Sequence, residues 1–267
     1  MTVPLYSSIE SIGDQIGTLI ERHMELAFRA MLRGPYVDFD KRFVRVVTGG
    51  PHPFANFAIL SAPDDQEATE TAIEKLIAGG APAAMIFPGP PATRIAEWLH
   101  ARGFHPHDSM PAMAVDIAKL PSTTLPGGYA FARIGADSSG GAWAECFAKG
   151  YELPLELIGV FSPLVTVADP APDASIQFFA VLRGSRLVNT SVLYLGNGVA
   201  GIYCVATLPE ERGKRLAAHA TAEPLRLAQA LGYRVGVLQS SPAGHALYRR
   251  LGFAEFGALH LFVNMTT

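Results

Sequence analysis

The spacing of apolar residues in the second half of the chain predicts a mixed α/β domain. Runs rich in β-branched and aromatic residues alternate with stretches in which apolar residues recur at helical spacing. Asn197-Gly198 is a strong hairpin signal, and Arg183-Gly184-Ser185-Arg186 separates two further apolar runs. The predicted elements are a strand at 129–134, helices at 137–150 and 155–167, strands at 176–182, 187–195 and 199–206, a helix at 214–231, a strand at 234–239, a helix at 243–251 and a strand at 254–263.

The first half of the chain shows a similar alternation, preceded by a long amphipathic stretch. Its predicted elements are a helix at 9–31, strands at 43–48 and 54–60, a helix at 64–78, a strand at 81–87, a helix at 92–102 and a strand at 110–117. Residues 121–128 contain two prolines, two glycines and no charged residue, which is typical of a linker. We therefore predict an accessory domain at 1–120 and a second domain at 129–267.

Composition and charge narrow the class of protein. Of the 267 residues, 49% are hydrophobic and 17% charged, which is typical of an ordered globular protein. The net charge of −3 and the scattered basic residues argue against a nucleic-acid partner. Cys146 and Cys204 provide neither a disulfide framework nor a metal-ligand spacing, so we expect no metal. Without a signal peptide or a membrane-spanning run, the sequence predicts a soluble cytoplasmic protein with no membrane partner.

Residues 203–217 carry the clearest chemical signal. An apolar strand passes through Pro209-Glu210-Glu211 into a basic, glycine-containing corner that opens a helical pattern. The first turn of a helix has unpaired backbone N–H groups and a partial positive charge, which together favour an anion. Arg212, Lys214 and Arg215 add full charges suited to phosphate oxygens. The stretch therefore predicts a site for a pyrophosphate.

Two segments, in this order, resemble the GNAT superfamily of acetyl-CoA-dependent N-acetyltransferases. They are VATLPEERGKRLA at 205–217 and SPAGHALYRRLGF at 241–253, and the resemblance extends over about 128–263. It implies a GNAT-type fold in the C-terminal half, with a strand that splays from its neighbour and pairs with the pantetheine arm. The residues that the resemblance assigns to acetyl-CoA are Val205, Ala206, Thr207, Arg212, Gly213, Lys214, Arg215, Leu216, Ala217 and Ser241.

One position departs from the family pattern. Arg215 stands where the phosphate motif of the family has its middle glycine, and a glycine there lets the backbone approach the pyrophosphate closely. An arginine at this position needs its side chain to turn outward, and its presence bears on the affinity for the cofactor. Ser241 replaces a usual asparagine and keeps a hydroxyl able to cap a helix or reach the cofactor.

The resemblance also suggests the chemistry. Tyr248 occupies the position where many members place a tyrosine near the CoA sulfur, so we expect it to donate a proton or a hydrogen bond to the departing thiolate. The alternative is a tyrosine that only packs against the turn at Phe253. Glu145, Glu152 and Glu156 are candidates for a general base, with water as the alternative. Cys204 is interpreted as a small apolar strand residue rather than a nucleophile.

The end of the first half echoes the end of the second. Residues 95–104 align with 244–253 when their Gly-Phe pairs are matched, and Leu99 then replaces Tyr248. The acidic pair Asp64-Asp65 lies where a cofactor-binding repeat would need a basic, phosphate-binding turn before its helix. We therefore predict a degenerate GNAT-like repeat that completes the sheet, shapes the acceptor cleft or mediates dimerisation; an unrelated α/β domain is the alternative.

The predicted function is transfer of an acetyl group from acetyl-CoA to a primary amine of a small molecule or peptide. The alternative is a non-catalytic acyl-CoA-binding or regulatory protein, favoured by Arg215 and by the lack of a visible base. A homodimer is a possible further association. Acceptor specificity depends on loops whose shapes the sequence does not define.

Overall fold

The computed structural model describes residues 4–135, 139–154, 158, 169 and 171–265. In these ranges twelve strands form one mixed sheet, and six α-helices accompany it. The strands are β1 (Val37–Phe39), β2 (Phe43–Val47), β3 (Asn56–Leu60), β4 (Ala83–Pro88), β5 (His105–Pro106), β6 (Met110–Asp116), β7 (Tyr129–Ile134), β8 (Ile176–Arg183), β9 (Arg186–Gly196), β10 (Val199–Thr207), β11 (Val235–Gln239) and β12 (Ala254–Asn264). The helices are α1 (Ile16–Met31), α2 (Gln66–Ala78), α3 (Thr93–His100), α4 (Ser139–Gly150), α5 (Leu216–Ala230) and α6 (Pro242–Arg250).

The two halves of the chain exchange strands at the centre of the sheet. The strand order is β1-β2-β3-β4-β12-β6-β11-β10-β9-β8-β7, and β5 pairs with β12. Thus β6, from the first half, lies between β12 and β11, while β12, from the second half, lies between β4 and β6. Both strands pair antiparallel with their neighbours on either side. Each half therefore depends on the other for one of its inner strands.

The sheet has matching topology on the two sides of the β12–β6 pair. On one side, β3 and β4 are parallel and are connected through α2. On the other, β10 and β11 are parallel and are connected through α5. The next helices, α3 and α6, lead to β6 and β12 respectively. The order and direction of these elements therefore correspond on the two sides of the β12–β6 pair.

The ends of α3 and α6 match in detail. Phe104 N–H donates to the Leu99 carbonyl at 3.1 Å, and Phe253 N–H donates to the Tyr248 carbonyl at 3.0 Å. Gly103 and Gly252 have φ values of +79° and +93°, a left-handed conformation that glycine adopts without steric cost. The alignment of the two Gly-Phe pairs made from the sequence thus corresponds to the same helix-ending turn.

The largest apolar core joins both halves. Helix α1 contributes Met24 and Ala27 to a cluster that also contains Phe57 of β3, and Trp143 and Phe178 of the second half. The apolar residues of α1 follow helical spacing and form one stripe. Along this stripe the helix packs against strands that lie on either side of the β12–β6 pair. Among the described residues, no helix is both long enough and apolar enough to cross a lipid bilayer.

The predicted α/β fold with a GNAT-type C-terminal half is confirmed, and most predicted elements occur within one or two residues of their expected bounds. The hairpin at Asn197-Gly198 is confirmed, with positive φ at both residues. Strands β1 and β5 were missed because they have only three and two residues. The helix expected at 155–167 lies outside the described residues. Residues 121–128 contain no helix or strand, while the division into domains at 1–120 and 129–267 stays a prediction.

Candidate active site

Strands β10 and β11 separate at the position expected for a pantetheine arm. They pair in parallel only at Ala200–Gly236 and Gly201–Val237. Beyond these pairs β10 continues to Thr207, still hydrogen-bonded to β9 on its other side. Among the described residues, the edge of β10 that faces β11 therefore has no strand partner at 205–207. The Ala206 carbonyl accepts from Asn189 Nδ2 at 2.8 Å, and the other main-chain groups of this edge can pair with an extended ligand.

A bulge in β10 lies next to this open edge. The register with β9 shifts between Tyr203 and Ala206, and Cys204 has a φ of +53°. The side-chain hydroxyl of Thr190 donates to the Cys204 carbonyl at 2.8 Å and so fixes the irregular backbone. The end of α4 lies directly against this region, since a Cβ on Gly150 would come within 2.8 Å of the Ala206 side chain.

The turn into α5 explains the arginine at the expected glycine position. Arg215 is the residue that precedes the helix, and it adopts a left-handed conformation with φ +63° and ψ +16°. That conformation favours glycine, and another residue pays roughly 1–2 kcal/mol to adopt it. The backbone of Arg215 thus has the shape that a glycine would give, while its exposed side chain adds a positive charge.

A basic pocket of about 430 Å³ opens at the start of α5. The first-turn N–H groups of this helix have no intrahelical partners, so they suit an anion. Helix α6 forms the facing wall with residues at i, i+3 and i+4 spacing. The lining residues are Thr207, Glu211, Arg212, Gly213, Arg215, Leu216, Ala217, Ala218, Leu247, Arg250 and Leu251.

The three arginines among the described pocket residues differ in whether their guanidinium groups make hydrogen bonds or ion pairs with the protein. Arg212 donates to the Gly150 carbonyl at 2.9 Å and pairs with Glu152 at 2.7 Å, so it ties the corner to the end of α4. Within the described ranges, the guanidinium groups of Arg215 and Arg250 make no hydrogen bond or ion pair. These two groups are therefore available to a bound anion.

Lys214 is directed away from the basic pocket. Its ammonium pairs with Glu211 at 2.6 Å, and Glu211 also accepts from Tyr129 at 2.6 Å and from Arg183 at 3.1 Å. Lys214, Tyr129 and Arg183 together hold the pKa of Glu211 at about 2, so this buried carboxylate stays charged. The network fixes the turn between β10 and α5, which gives Lys214 a role in shaping the corner.

A second, apolar cavity of about 170 Å³ lies at the splayed end of β10. Its walls come from both halves of the chain: α1, β3 and β4 of the first half, and α4, β10, β11 and α6 of the second. Seven of the lining residues are aromatic. The lining residues are Met24, Phe28, Met31, Leu32, Phe54, Phe57, Ile86, Met110, Phe147, Tyr151, Leu153, Ile202, Tyr203, Cys204, Val205, Gln239 and Tyr248.

Tyr248 lines this cavity as well as packing edge-to-face against Phe253, with ring centroids 5.9 Å apart. Burial raises the pKa of its phenol to about 12, so Tyr248 carries its proton at neutral pH. Burial also raises the pKa of the Cys204 thiol to about 12, and a protonated thiol is a poor nucleophile. A protonated phenol and a protonated thiol thus lie beside the same cavity.

Comparison with known proteins identifies a domain in the second half of the chain. Residues 154–253 match the family model described as "Acetyltransferase (GNAT) family". The chain therefore carries a GNAT acetyltransferase domain over these residues. No curated protein shows significant similarity to it.

Solved structures resemble the GNAT fold of this chain over almost its whole length. A GCN5-related N-acetyltransferase from Kribbella flavida has a TM-score of 0.60 at 17% identity, over 94% of this chain and 96% of its own. A GCN5-related N-acetyltransferase from Sphaerobacter thermophilus has a TM-score of 0.58 at 14% identity, over 85% and 78%. A tandem GNAT protein from the clavulanic acid biosynthesis pathway has a TM-score of 0.52 at 14% identity, over 98% and 97%. At these identities the likeness is one of fold.

Within the GNAT domain, the sequence-predicted residues divide between the two pockets. Thr207, Arg212, Gly213, Arg215, Leu216 and Ala217 line the basic pocket, and Val205 and Tyr248 line the apolar cavity. Ala206 is buried between them on β10. Ser241 lines neither pocket; its hydroxyl accepts from the Gly244 N–H at 3.2 Å and caps α6.

Of the candidate bases, the two that the structure describes do not line the apolar cavity. Glu145 pairs with Lys149 on the surface of α4, and Glu152 pairs with Arg212. Glu156 lies outside the described residues. Within the described ranges there is also no cluster of three or more His, Cys, Asp and Glu side chains arranged to hold a metal ion.

The described residues of the first half lack the features that form the basic pocket in the GNAT domain. Asp65 accepts from the Ala68 N–H at 2.9 Å, so a carboxylate already occupies the start of α2. Strands β3 and β4 pair at three successive positions, and β2 pairs with β3 without a register shift. Leu99, the counterpart of Tyr248, is fully buried. Residues 4–120 therefore present no anion site comparable to the basic pocket.

Sequence reasoning missed three contributions to the site. Arg250 follows Leu247 by three residues on α6, so the helical period could have placed both on the pocket wall. Gln239 is the last residue of β11, where β10 and β11 separate. The predicted end of this strand at residue 239 is a weaker indication of a site residue than the helical period at Arg250. The walls formed by α1, β3 and β4 could not be found in this way, because they depend on the strand exchange between halves.

Proposed function

We propose that this protein is an acetyl-CoA-dependent N-acetyltransferase that acetylates a primary amine of a small molecule or peptide. The observation that carries the proposal is the arrangement around β10. A basic pocket with two uncommitted arginines lies on one side of its open edge, and a cavity lined by Tyr248 lies on the other. The GNAT-family match supports acyl transfer as the type of reaction.

The residues present fit acetyl-CoA in charge and polarity. Arg215, Arg250 and the first-turn N–H groups of α5 would hold the pyrophosphate. The open edge of β10 at 205–207 would pair with the pantetheine amides, and the thioester would then lie beside Tyr248. Acetyl-CoA would supply an acetyl group activated as a thioester, with a thiol as its leaving group.

The protein residues would exclude water, keep the amine neutral and protonate the leaving thiol. The apolar cavity excludes water and holds the amine in its neutral, nucleophilic form, which attacks directly in a ternary complex. Tyr248 Oη holds a proton at neutral pH and would donate it to the sulfur as the carbon–sulfur bond breaks. Solvent would take the proton that the amine loses, since neither Glu145 nor Glu152 lines the cavity.

The test combines calorimetric titration of CoA and acetyl-CoA with a screen of amines for free-thiol release. Binding of both ligands, and thiol release that requires an amine, is the expected result. Binding without turnover on any amine would instead support the non-catalytic acyl-CoA-binding alternative. Absence of CoA binding would overturn both functions.

We also propose that the first half is a degenerate GNAT-like repeat. The matched order of β3-α2-β4-α3 and β10-α5-β11-α6 supports it, as do the matched Gly-Phe turns. Its contribution would be the exchanged strand β6 and one side of the apolar cavity. A cytoplasmic location and a homodimer remain predictions.

A further inference from the structure

The apolar cavity carries no charged group among the described residues that line it. Its titratable members are tyrosines and Cys204. Burial raises the pKa of Cys204 and Tyr248 to about 12, and that of Tyr203 well above its usual value. At neutral pH the lining described here is therefore uncharged. A ligand that brought a permanent charge into this space would lose hydration without gaining an ionic partner.

The hydroxyl of Tyr203 is already committed to a buried histidine. His23 on α1 is fully buried, with Nδ1 2.7 Å from the Tyr203 oxygen and Nε2 3.2 Å from the Gly196 carbonyl oxygen. The carbonyl can only accept, so Nε2 carries the proton and Tyr203 donates to Nδ1. Burial lowers the pKa of His23 to about 4, so the pair is neutral near pH 7.

Gln239, a residue that lines the cavity, has one buried polar atom without a partner among the described residues. Gln239 donates through Nε2 to the Ile20 carbonyl at 2.8 Å, which fixes the orientation of its carboxamide. Its Oε1 is buried and accepts no hydrogen bond from the residues that the structure describes. A buried acceptor left empty is costly, so this oxygen suits the N–H of a bound ligand.

The remaining walls suit an aromatic ring. Phe28 lies edge-on to Phe57 and to Tyr203, with ring centroids 6.1 and 6.4 Å apart, and Phe147 packs against Tyr151 at 5.0 Å. The volume is about 170 Å³. An apolar cavity of about 150 Å³ is large enough to bind benzene, so one ring fits here.

From these features we infer the class of acceptor: an apolar primary amine whose hydrocarbon part is about the size of one aromatic ring. Its ring lies against Phe28 and Phe57, and its neutral amine donates to Gln239 Oε1. The inference rests on the proposed N-acetyltransferase function and specifies its substrate. It also makes the first half of the chain, through α1 and β3, the part that selects the acceptor.

The test compares acceptors in the thiol-release assay with acetyl-CoA. The probes are 2-phenylethylamine, spermidine and lysine amide; the last two carry further charges. We expect kcat/KM for 2-phenylethylamine to exceed that for the charged amines at least about 100-fold, because the described lining of the cavity offers no partner for a charge. A higher kcat/KM for a charged amine would overturn the inference. So would a preference for a longer acyl-CoA together with acceptance of charged amines. Either result would leave acyl transfer as the reaction.

Two variants locate the acceptor. Phe28→Ala should raise KM for 2-phenylethylamine about tenfold, the effect of losing one aromatic contact. Leu26→Ala, on the same helix but outside the cavity lining, is the matched control and should change KM less than about twofold. Gln239→Leu should raise KM by a similar factor with little change in kcat.

A binding experiment separates failure of this inference from failure of the proposed function. Calorimetry with 2-phenylethylamine on the CoA-saturated protein should show a complex that Phe28→Ala weakens. If acetyl-CoA binds and another amine is acetylated, but 2-phenylethylamine neither binds nor reacts, only the acceptor class is wrong. If CoA does not bind, the proposed function is wrong as well.

Discussion

Arg215 combines a left-handed backbone with a free positive charge, two properties that substitution can separate. Its φ of +63° is a left-handed conformation that a glycine at the start of α5 would adopt readily. Its guanidinium lines the basic pocket without a partner among the described residues. The arginine at the motif glycine position thus changes the side chain while the backbone keeps a left-handed conformation.

Replacing Arg215 by glycine and by alanine should give different stabilities but similar affinities. Both variants remove the charge, so the Kd for CoA should rise about tenfold in each, the effect of one charged phosphate contact. Only glycine relieves the backbone strain, so Arg215→Gly should be about 1 kcal/mol more stable than Arg215→Ala. Urea unfolding and calorimetry measure the two effects; equal stabilities would show that the left-handed conformation costs nothing here.

Replacing Tyr248 by phenylalanine should remove the proton donor while leaving the pocket in place. We expect kcat to fall at least about 100-fold, the usual minimum for a general acid, with the Kd for CoA unchanged. Tyr233→Phe, which lines neither pocket, is the control. Because the pKa of Tyr248 is about 12, the wild-type rate should show no alkaline decline below about pH 10. Unchanged turnover in Tyr248→Phe would remove it from the mechanism.

At the scale of elements, the turn between β10 and α5 depends on one buried carboxylate. Glu211 is held by Lys214, Tyr129 and Arg183, which keep its pKa at about 2. The carboxylate pKa is lower in the folded than in the unfolded chain, so its stabilising effect is complete above about pH 4.5 and is lost as pH falls towards about 2. The conformation of the cofactor corner should therefore be sensitive to acid.

Glu211→Gln tests this dependence. The variant should unfold at lower temperature than the wild type at pH 6, and the difference in Tm should shrink steadily as the pH falls from about 5 to about 2. Glu97→Gln, an exposed carboxylate on α3, serves as the control and should show no such convergence. A Tm difference that is the same at every pH would show that the charge of Glu211 is not what stabilises the turn.

The sequence predicted individual elements better than their pairing. Helical and strand periodicities, the Asn197-Gly198 turn and the cofactor corner depend on nearby residues, and they agree with the structure. The helix expected to start at residue 214 begins at Leu216, because Arg215 takes the left-handed conformation. The exchange of β6 and β12 depends on contacts more than 100 residues apart, for which local patterns provide no signal.

At the scale of the whole molecule, the exchange makes the halves interdependent. The GNAT domain takes β6 from the first half as the neighbour of β11, and the first half takes β12 as the neighbour of β4. A sheet that lacks an inner strand exposes unpaired main-chain groups and apolar faces. The apolar cavity has walls from both halves, so acceptor binding should need both as well.

Cleaving the chain within the irregular segment 121–128 tests this dependence. A fragment comprising residues 127–267 should lack cooperative thermal unfolding and bind CoA weakly when expressed alone. Coexpression with residues 1–126 should restore both properties, because β6 is then available to pair with β11. A fragment 127–267 that folds and acetylates 2-phenylethylamine by itself would contradict the proposed interdependence.

The central claim is that one chain binds one acetyl-CoA, on the GNAT side of the sheet, for transfer to an amine. A crystal structure of the protein with CoA tests it most directly. The account predicts a single CoA per chain, with its pyrophosphate at the start of α5 between Arg215 and Arg250. Its pantetheine should lie along 205–207, with its sulfur beside Tyr248. A CoA bound at the start of α2, or one whose sulfur lies far from Tyr248 and the apolar cavity, would contradict it.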